Sequence, residues 1–116
     1  MENSKNEVTL EGYAGSDPVI TNLSGTKCIA RLSIARNEFY KNAKGEPVND
    51  THWFNLVFWN KKVSLIDGLV RKGTKFCIKG KLTTNTFTDK QGEKRTSTEI
   101  IVNHVEILAD EPETVD

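Results

Sequence analysis

No apolar run in the 116-residue chain exceeds a few residues, which excludes a membrane-spanning helix. Histidine is limited to His52 and His104, and cysteine to Cys28 and Cys77, 49 positions apart with no CxxC pairing. The close ligand pairs of a four-coordinate zinc site are missing, so two reduced cysteines buried in strands are expected, with no metal and no cofactor. There is no P-loop, no GxSxG and no HExxH. Gly12-Tyr13-Ala14-Gly15 does not continue as GxGxxG and reads as the end of a strand entering a turn. The first seven residues are polar without an apolar centre, unlike a signal peptide. A cytoplasmic location is therefore expected, and the glycosylation patterns at Asn22-Leu23-Ser24 and Asn49-Asp50-Thr51 are chance matches. Nor is there any excess of one charge, since 16 basic residues balance 16 acidic ones.

The distribution of charge says more than the sum. Residues 1–26 hold one base against four acids, a net of −3. Residues 27–95 hold 15 bases and six acids, a net of +9, and residues 96–116 hold six acids and no base. The basic centre suits a phosphate-bearing partner; a solvated surface with uneven charge fits the same numbers. At 36% hydrophobic and 28% charged residues, the composition is that of a globular domain with one modest core.

Alternation predicts strands. Val8, Leu10 and Gly12 alternate with Thr9 and Glu11, so a strand is expected over 6–14, ended by Gly15-Ser16-Asp17-Pro18. A second strand is expected over 27–38, where Leu32 and Ile34 alternate with Arg31 and Ser33. The segment 41–47 reads as a loop, and a third strand is expected over 50–59. Residues 61–72 change period: Val63, Ile66 and Val70 follow helical spacing, with Gly73 as a stop. A fourth strand is expected over 75–88 with Phe76, Ile78 and Leu82 on one parity, then a turn at Asp89-Lys90-Gln91-Gly92. Ile100, Val102, Val105 and Ile107 mark a fifth. Five strands with one short helix between the third and fourth predict an all-β, five-stranded OB-fold, a Greek-key barrel. The domain is expected to span 1–109, followed by an acidic, disordered tail at 110–116.

The third expected strand carries the strongest functional signal. Its even positions, Phe54, Leu56 and Phe58, suit a barrel core. Its odd positions, Trp53, Asn55, Val57 and Trp59, place two indoles on a second, partly wet face. Six of the nine aromatics fall between Phe39 and Trp59, so that face is expected to continue onto Tyr40, with Phe87 beside the later turn. Flat rings among cations suit a single nucleic-acid strand: bases stack on rings at about 1–3 kcal/mol each while cations track phosphates. An oligomer interface over the tryptophans is the competing explanation.

These residues resemble the bacterial single-stranded DNA-binding protein family from about Asn6 to Leu108. The resemblance rests on Val8-Thr9-Leu10-Glu11-Gly12 leading to Asp17-Pro18, and on Leu32-Ser33-Ile34-Ala35-Arg36-Asn37-Glu38. It continues through Thr51-His52-Trp53-Phe54, Arg71-Lys72-Gly73, Gly80-Lys81-Leu82, Phe87-Thr88-Asp89, Gly92 and Thr98-Glu99-Ile100, in order and spacing. It implies sequence-tolerant wrapping of single-stranded DNA on an OB-fold, usually in a homotetramer, with stacking positions at Tyr40, Trp53, Trp59 and Phe87. Tyr40 and Phe87 stand where members often have tryptophan, which implies weaker contacts there. Thr83-Thr84-Asn85-Thr86 is uncharged where members commonly carry arginines, which lowers phosphate neutralisation. Phe54 follows Trp53 where a polar residue is common. Residues 110–116 lack the acidic tip with an apolar terminus that members usually carry, so either a short member of mobile-element or phage type, or a truncated form of a longer one, is expected.

The expected function is binding and protection of single-stranded DNA in replication, repair or recombination, with no catalysis and no catalytic residues. Arg36, Lys61, Lys62, Lys79 and Lys81 are the expected phosphate contacts, with Arg95 and the loops at 41–46 and 89–94 as clamps. A nuclease or pyrophosphatase would need carboxylates gathered on a metal, and the acids of the basic centre fall mostly in expected turns. An alternative stays open: an OB-fold accessory protein of a primosome or mobile-element replication system, acting through protein contacts with its tryptophans as anchors.

Overall fold

The computed structural model describes residues 5–108; the expected domain limit at 109 and the tail at 110–116 lie outside them. Six strands form one sheet: β1 (Val8–Ala14), β2 (Val19–Asn22), β3 (Cys28–Lys41), β4 (Pro47–Trp59), β5 (Lys75–Thr88) and β6 (Lys94–Ile107). Their order is β1-β5-β6-β4-β3-β2, and β1 also pairs with β3 through Tyr13↔Ala35 and Ala14↔Ile34. Five strands therefore close on themselves. β4 and β6 run parallel at Leu56↔Ile100. This is the expected five-stranded Greek-key barrel, with β2 as an additional arm along the start of β3.

Closure depends on a residue without a side chain. A Cβ on Gly12 would overlap the backbone carbonyl of Ala35, so only glycine lets β1 and β3 approach this closely. Gly80 plays the same part where β5 meets the carbonyl of Ile101, beside a register shift between Lys79 and Gly80. Inside, Leu32, Ile34, Leu56, Phe58, Phe76, Ile78, Ile100 and Val102 are buried, and no polar or charged residue is buried among the described ones. An interior this apolar leaves ligand recognition to the outer surface.

The elements depart from expectation in several places. β2 goes unread by alternation because all four of its residues are exposed, so no inward position marks it. The expected loop 41–47 contracts to 42–46, and Lys41↔Pro47 becomes the last ladder pair. Asn42 tightens that turn by accepting the backbone N–H groups of Lys44 and Glu46, and Gly45 has φ +78°. The expected helix over 61–72 is a 3-10 helix at Asn60–Leu65 followed by turns. Val63, Ile66 and Val70 are nevertheless buried as their spacing implied. Gly68, at φ +79°, breaks the helical path before it can extend.

Because β4 and β6 are parallel, their upstream ends leave the barrel in the same direction. The β3–β4 and β5–β6 hairpins thus project as two arms from one side, consistent with a longest dimension of 53 Å against 37 and 36 Å.

Candidate nucleic-acid interface

Register decides which rings share a face. The β3–β4 ladder is unbroken from Ile29↔Trp59 to Lys41↔Pro47, so side chains alternate without interruption. Trp59, Val57, Asn55, Trp53 and Thr51 of β4 point outward, opposite Ile29, Arg31, Ser33, Ala35 and Asn37 of β3. Phe39 continues that outward row, opposite Asn49. Tyr40 pairs with Val48 and has the parity of Ile34 and Phe54, so it lies on the other face of the arm. The expectation that the tryptophan face reaches Tyr40 thus gives way to Phe39, the most exposed ring at 73%. The signal was in the sequence: the parity of Leu32 and Ile34, carried on through Arg36 and Glu38, arrives at Tyr40 rather than Phe39.

Across β6 the outward face continues. Glu99 and Ile101 stand beside Asn55 and Val57, and on β5 Thr83, Asn85 and Phe87 follow in register, with Phe87 opposite Arg95. Trp53, Trp59, Phe39 and Phe87 therefore share one surface, with exposures from 41% to 73%. Trp53 and Trp59 lie six residues apart on β4, about 20 Å. Trp53 is held in place by what it rests on: any Cβ on Gly15 would overlap its ring, so the indole packs directly over the glycine.

Val57 departs from the expected wet face and is buried. The cause is an ion pair over it. Arg31 of β3 reaches across β4 to Glu99 of β6 at 2.7 Å, lying between the two tryptophans along the face. Glu99 is only 14% exposed in its side chain, so the pair is better shielded than an ordinary surface one.

The expected phosphate contacts divide by their partners. Arg36, Lys61, Lys62 and Lys81 have no ion-pair partner among the described residues. Lys81 shares the outward parity of Phe87, and Lys61 and Lys62 follow Trp59 in the 3-10 helix. Arg36 pairs in register with His52 on the Tyr40 face. Lys79 meets Glu7 at 3.6 Å, beside β1. Arg95 donates from Nε to Asp89 at 2.7 Å, fixing the β5–β6 turn. That guanidinium, then the backbone N–H groups of Glu93 and Gln91, hold the Asp89 carboxyl below its ordinary range.

On the opposite face of the arm, nearby Asp50 raises the pKa of the Tyr40 hydroxyl by hydrogen bonding and by its charge, with Glu38 adding to the effect. Glu38 also pairs with His52 at 3.1 Å. Two carboxylates beside Tyr40 make that face a poor neighbour for phosphates. The cysteines are free and half-buried in β3 and β5, and burial pushes the Cys77 thiol up, with Glu11 and Glu106 contributing. Among the described residues, no three His, Cys, Asp or Glu side chains converge as metal ligands do.

A family described as the single-strand binding protein family matches residues 5–108. Single-stranded DNA-binding protein 1 of Chlorobaculum tepidum is 28% identical over 109 residues, covering 93% of this chain and 67% of that protein. Among solved structures, the Plasmodium falciparum SSB in complex with ssDNA is 31% identical with a TM-score of 0.84, covering 93% of this chain and 98% of that one.

Proposed function

The chain belongs to the single-strand binding protein family, and we infer that it binds single-stranded DNA with little sequence preference and catalyses no reaction. The observation that carries this reading is the single outward face bearing Trp53, Trp59, Phe39 and Phe87 on a closed barrel. Every base presents a π-face to such rings, whatever its identity. Our assignment of stacking roles is to Trp53, Trp59 and Phe87, as the sequence implied, with Phe39 in the place first given to Tyr40. Lys61, Lys62 and Lys81 take phosphates on this reading, while Arg36 stands on the carboxylate-bearing face of the arm and contributes less. Lys79 and Arg95 are tied to carboxylates and contribute less.

Assembly into a homotetramer, work in replication, repair or recombination, and a place in the cytoplasm on the nucleoid belong to the same proposal. They rest on family membership.

The test is tryptophan fluorescence during titration with oligo-dT at low and high salt. Quenching that saturates at a defined oligonucleotide length and weakens with salt is the expected result. No quenching, together with no binding by gel shift, would overturn the reading. Light scattering of the free protein gives the subunit number directly.

A further inference from the structure

The stretch of outward face between the two tryptophans is not bare. Arg31 of β3 pairs in register with Val57, and Glu99 of β6 pairs with Asn55. The Arg31–Glu99 bridge therefore crosses β4 diagonally, midway along the roughly 20 Å between Trp53 and Trp59. A stacked strand advances about 3.4 Å per nucleotide and does not span that distance in one step. Wherever one strand stacks on both rings, at least one nucleotide lies over the bridge.

The bridge keeps unused hydrogen-bonding capacity. Arg31 donates from Nη1 to Glu99 Oε2 at 2.7 Å, and neither Glu99 Oε1 nor the other guanidinium nitrogens have a partner among the described residues. No partnerless side-chain oxygen or nitrogen is buried among those residues, so Oε1 opens to solvent although most of Glu99 is covered. It opens into clefts. Two of them flank the bridge, and Arg31 and Glu99 line both. One, of about 290 Å3, adds Ser16, Ser33 and Asn55 on the Trp53 side. The other, of about 210 Å3, adds Thr83 and Asn85 beside Trp59. Apart from the bridge itself, no group lining either cleft is charged.

A donor fixed beside an acceptor complements the edge of every base. Thymine offers N3–H next to a carbonyl, guanine N1–H next to O6, and cytosine and adenine an amine next to a ring nitrogen. A phosphate offers acceptors alone and is opposed by the carboxylate. We propose that the Arg31–Glu99 bridge is a base-edge receptor: Glu99 Oε1 accepts an N–H from the base lying between the tryptophans, and a free Arg31 N–H donates to the acceptor beside it. Since each base supplies both groups, the contact adds affinity without imposing a sequence. The inference rests on the strand-binding reading and adds to it a contact that is neither stacking nor phosphate neutralisation.

The test compares oligo-dT with an oligonucleotide of the same length built from difluorotoluene nucleotides, which keep the shape and stacking face of thymine and lack its strong hydrogen-bonding groups. Affinities for both are measured by anisotropy over a range of salt, with the full chain and with the double variant Arg31→Met/Glu99→Met. That variant keeps the volume of the bridge and leaves no charge unpaired, and its folding and subunit number are checked by circular dichroism and light scattering. Glu99→Gln does not serve here, because its amide still offers an acceptor. The unaltered chain is expected to prefer oligo-dT by about fivefold or more, and the double variant to bind both oligonucleotides alike. The salt slope for oligo-dT should be the same for both proteins. Equal binding of the two oligonucleotides by the unaltered chain would overturn the receptor, a result that needs no variant and leaves strand binding intact. A preference that survives in the double variant would place edge recognition elsewhere and overturn it too. So would a salt slope shallower by about 0.7 in the double variant, which would put Arg31 on a phosphate. Failure of the unaltered chain to bind oligo-dT would remove the strand-binding reading itself, and the receptor with it.

Discussion

The two faces of the β3–β4 hairpin share one backbone and differ in chemistry. Outward lie Trp59, Trp53 and Phe39 with Asn55, Thr51, Asn37 and Asn49, and no acidic residue of the hairpin among them. On the reverse of the arm lie Tyr40, Glu38 and Asp50 with Arg36 and His52. Both faces carry exposed aromatics, so aromatic content alone does not mark a strand-binding surface. What separates them is the company the rings keep: neutral hydrogen-bonding groups on one side, carboxylates on the other. A polyanion tolerates the first and is repelled by the second.

The sharpest way to break this comparison is to truncate one ring on each face. Trp53→Ala is expected to weaken oligo-dT binding by about ten- to a hundredfold, from stacking of about 1–3 kcal/mol per base. Phe39→Ala should cost a smaller share of that, and Tyr40→Ala should change affinity by less than about twofold. Fluorescence or anisotropy titration checks all three, and a Tyr40→Ala loss as large as that of Phe39→Ala would refute the division of faces. Core rings make poor controls, since replacing Phe58 or Phe76 by alanine costs about 3–5 kcal/mol of stability and confounds any binding loss.

A second test acts on the geometry that holds the outward face together. Gly12→Ala sets a methyl against the Ala35 carbonyl, and a loss of about 1–3 kcal/mol in urea unfolding is expected. If the protein melts as before, β1 and β3 are less tightly joined than the register requires.

A smaller effect concerns Glu99, an acid that stands on the tryptophan face beside Asn55. Glu99→Gln frees Arg31, which is 53% exposed and stays solvated. Binding should tighten a few-fold at low salt, and the slope of log affinity against log salt should steepen by about 0.7 for one added phosphate contact. An unchanged slope would mean that Arg31 does not meet the strand.

The smallest expected effect is on pH. The Asp89 carboxyl is held below its ordinary range by Arg95, so its contribution to the β5–β6 turn is complete above that range. It is lost only as pH falls through the lowered value. The amide signals of Gln91 and Glu93, both bonded to Asp89 Oδ1, should therefore stay fixed down through the usual carboxylate titration and move only in stronger acid. Movement beginning at neutral pH would contradict the pairing.

Much of this was legible in the chain. The alternation of Phe54, Leu56 and Phe58 against Trp53, Asn55 and Trp59 named the core and the outer rings before any coordinates. The limits of β5 and the turn at Asp89–Gly92 were equally plain from parity and glycine. Phe39 was obscured because Asn42 to Glu46 look like part of a longer loop, and strand character beyond Glu38 comes from pairing with β4 rather than from local preference. Val57 was obscured because its cover is an arginine from one strand and a glutamate 68 residues later in the chain.

By itself, then, the sequence determined the class of barrel, its core positions and the presence of stackable rings, because side-chain parity and turn chemistry are local properties. Tertiary structure alone decided which rings meet on one surface and which cations stay free. It also decided that Arg31 and Glu99 meet between Trp53 and Trp59. Those facts depend on pairings between distant strands, and in a sheet a single residue of register sends every side chain to the opposite face.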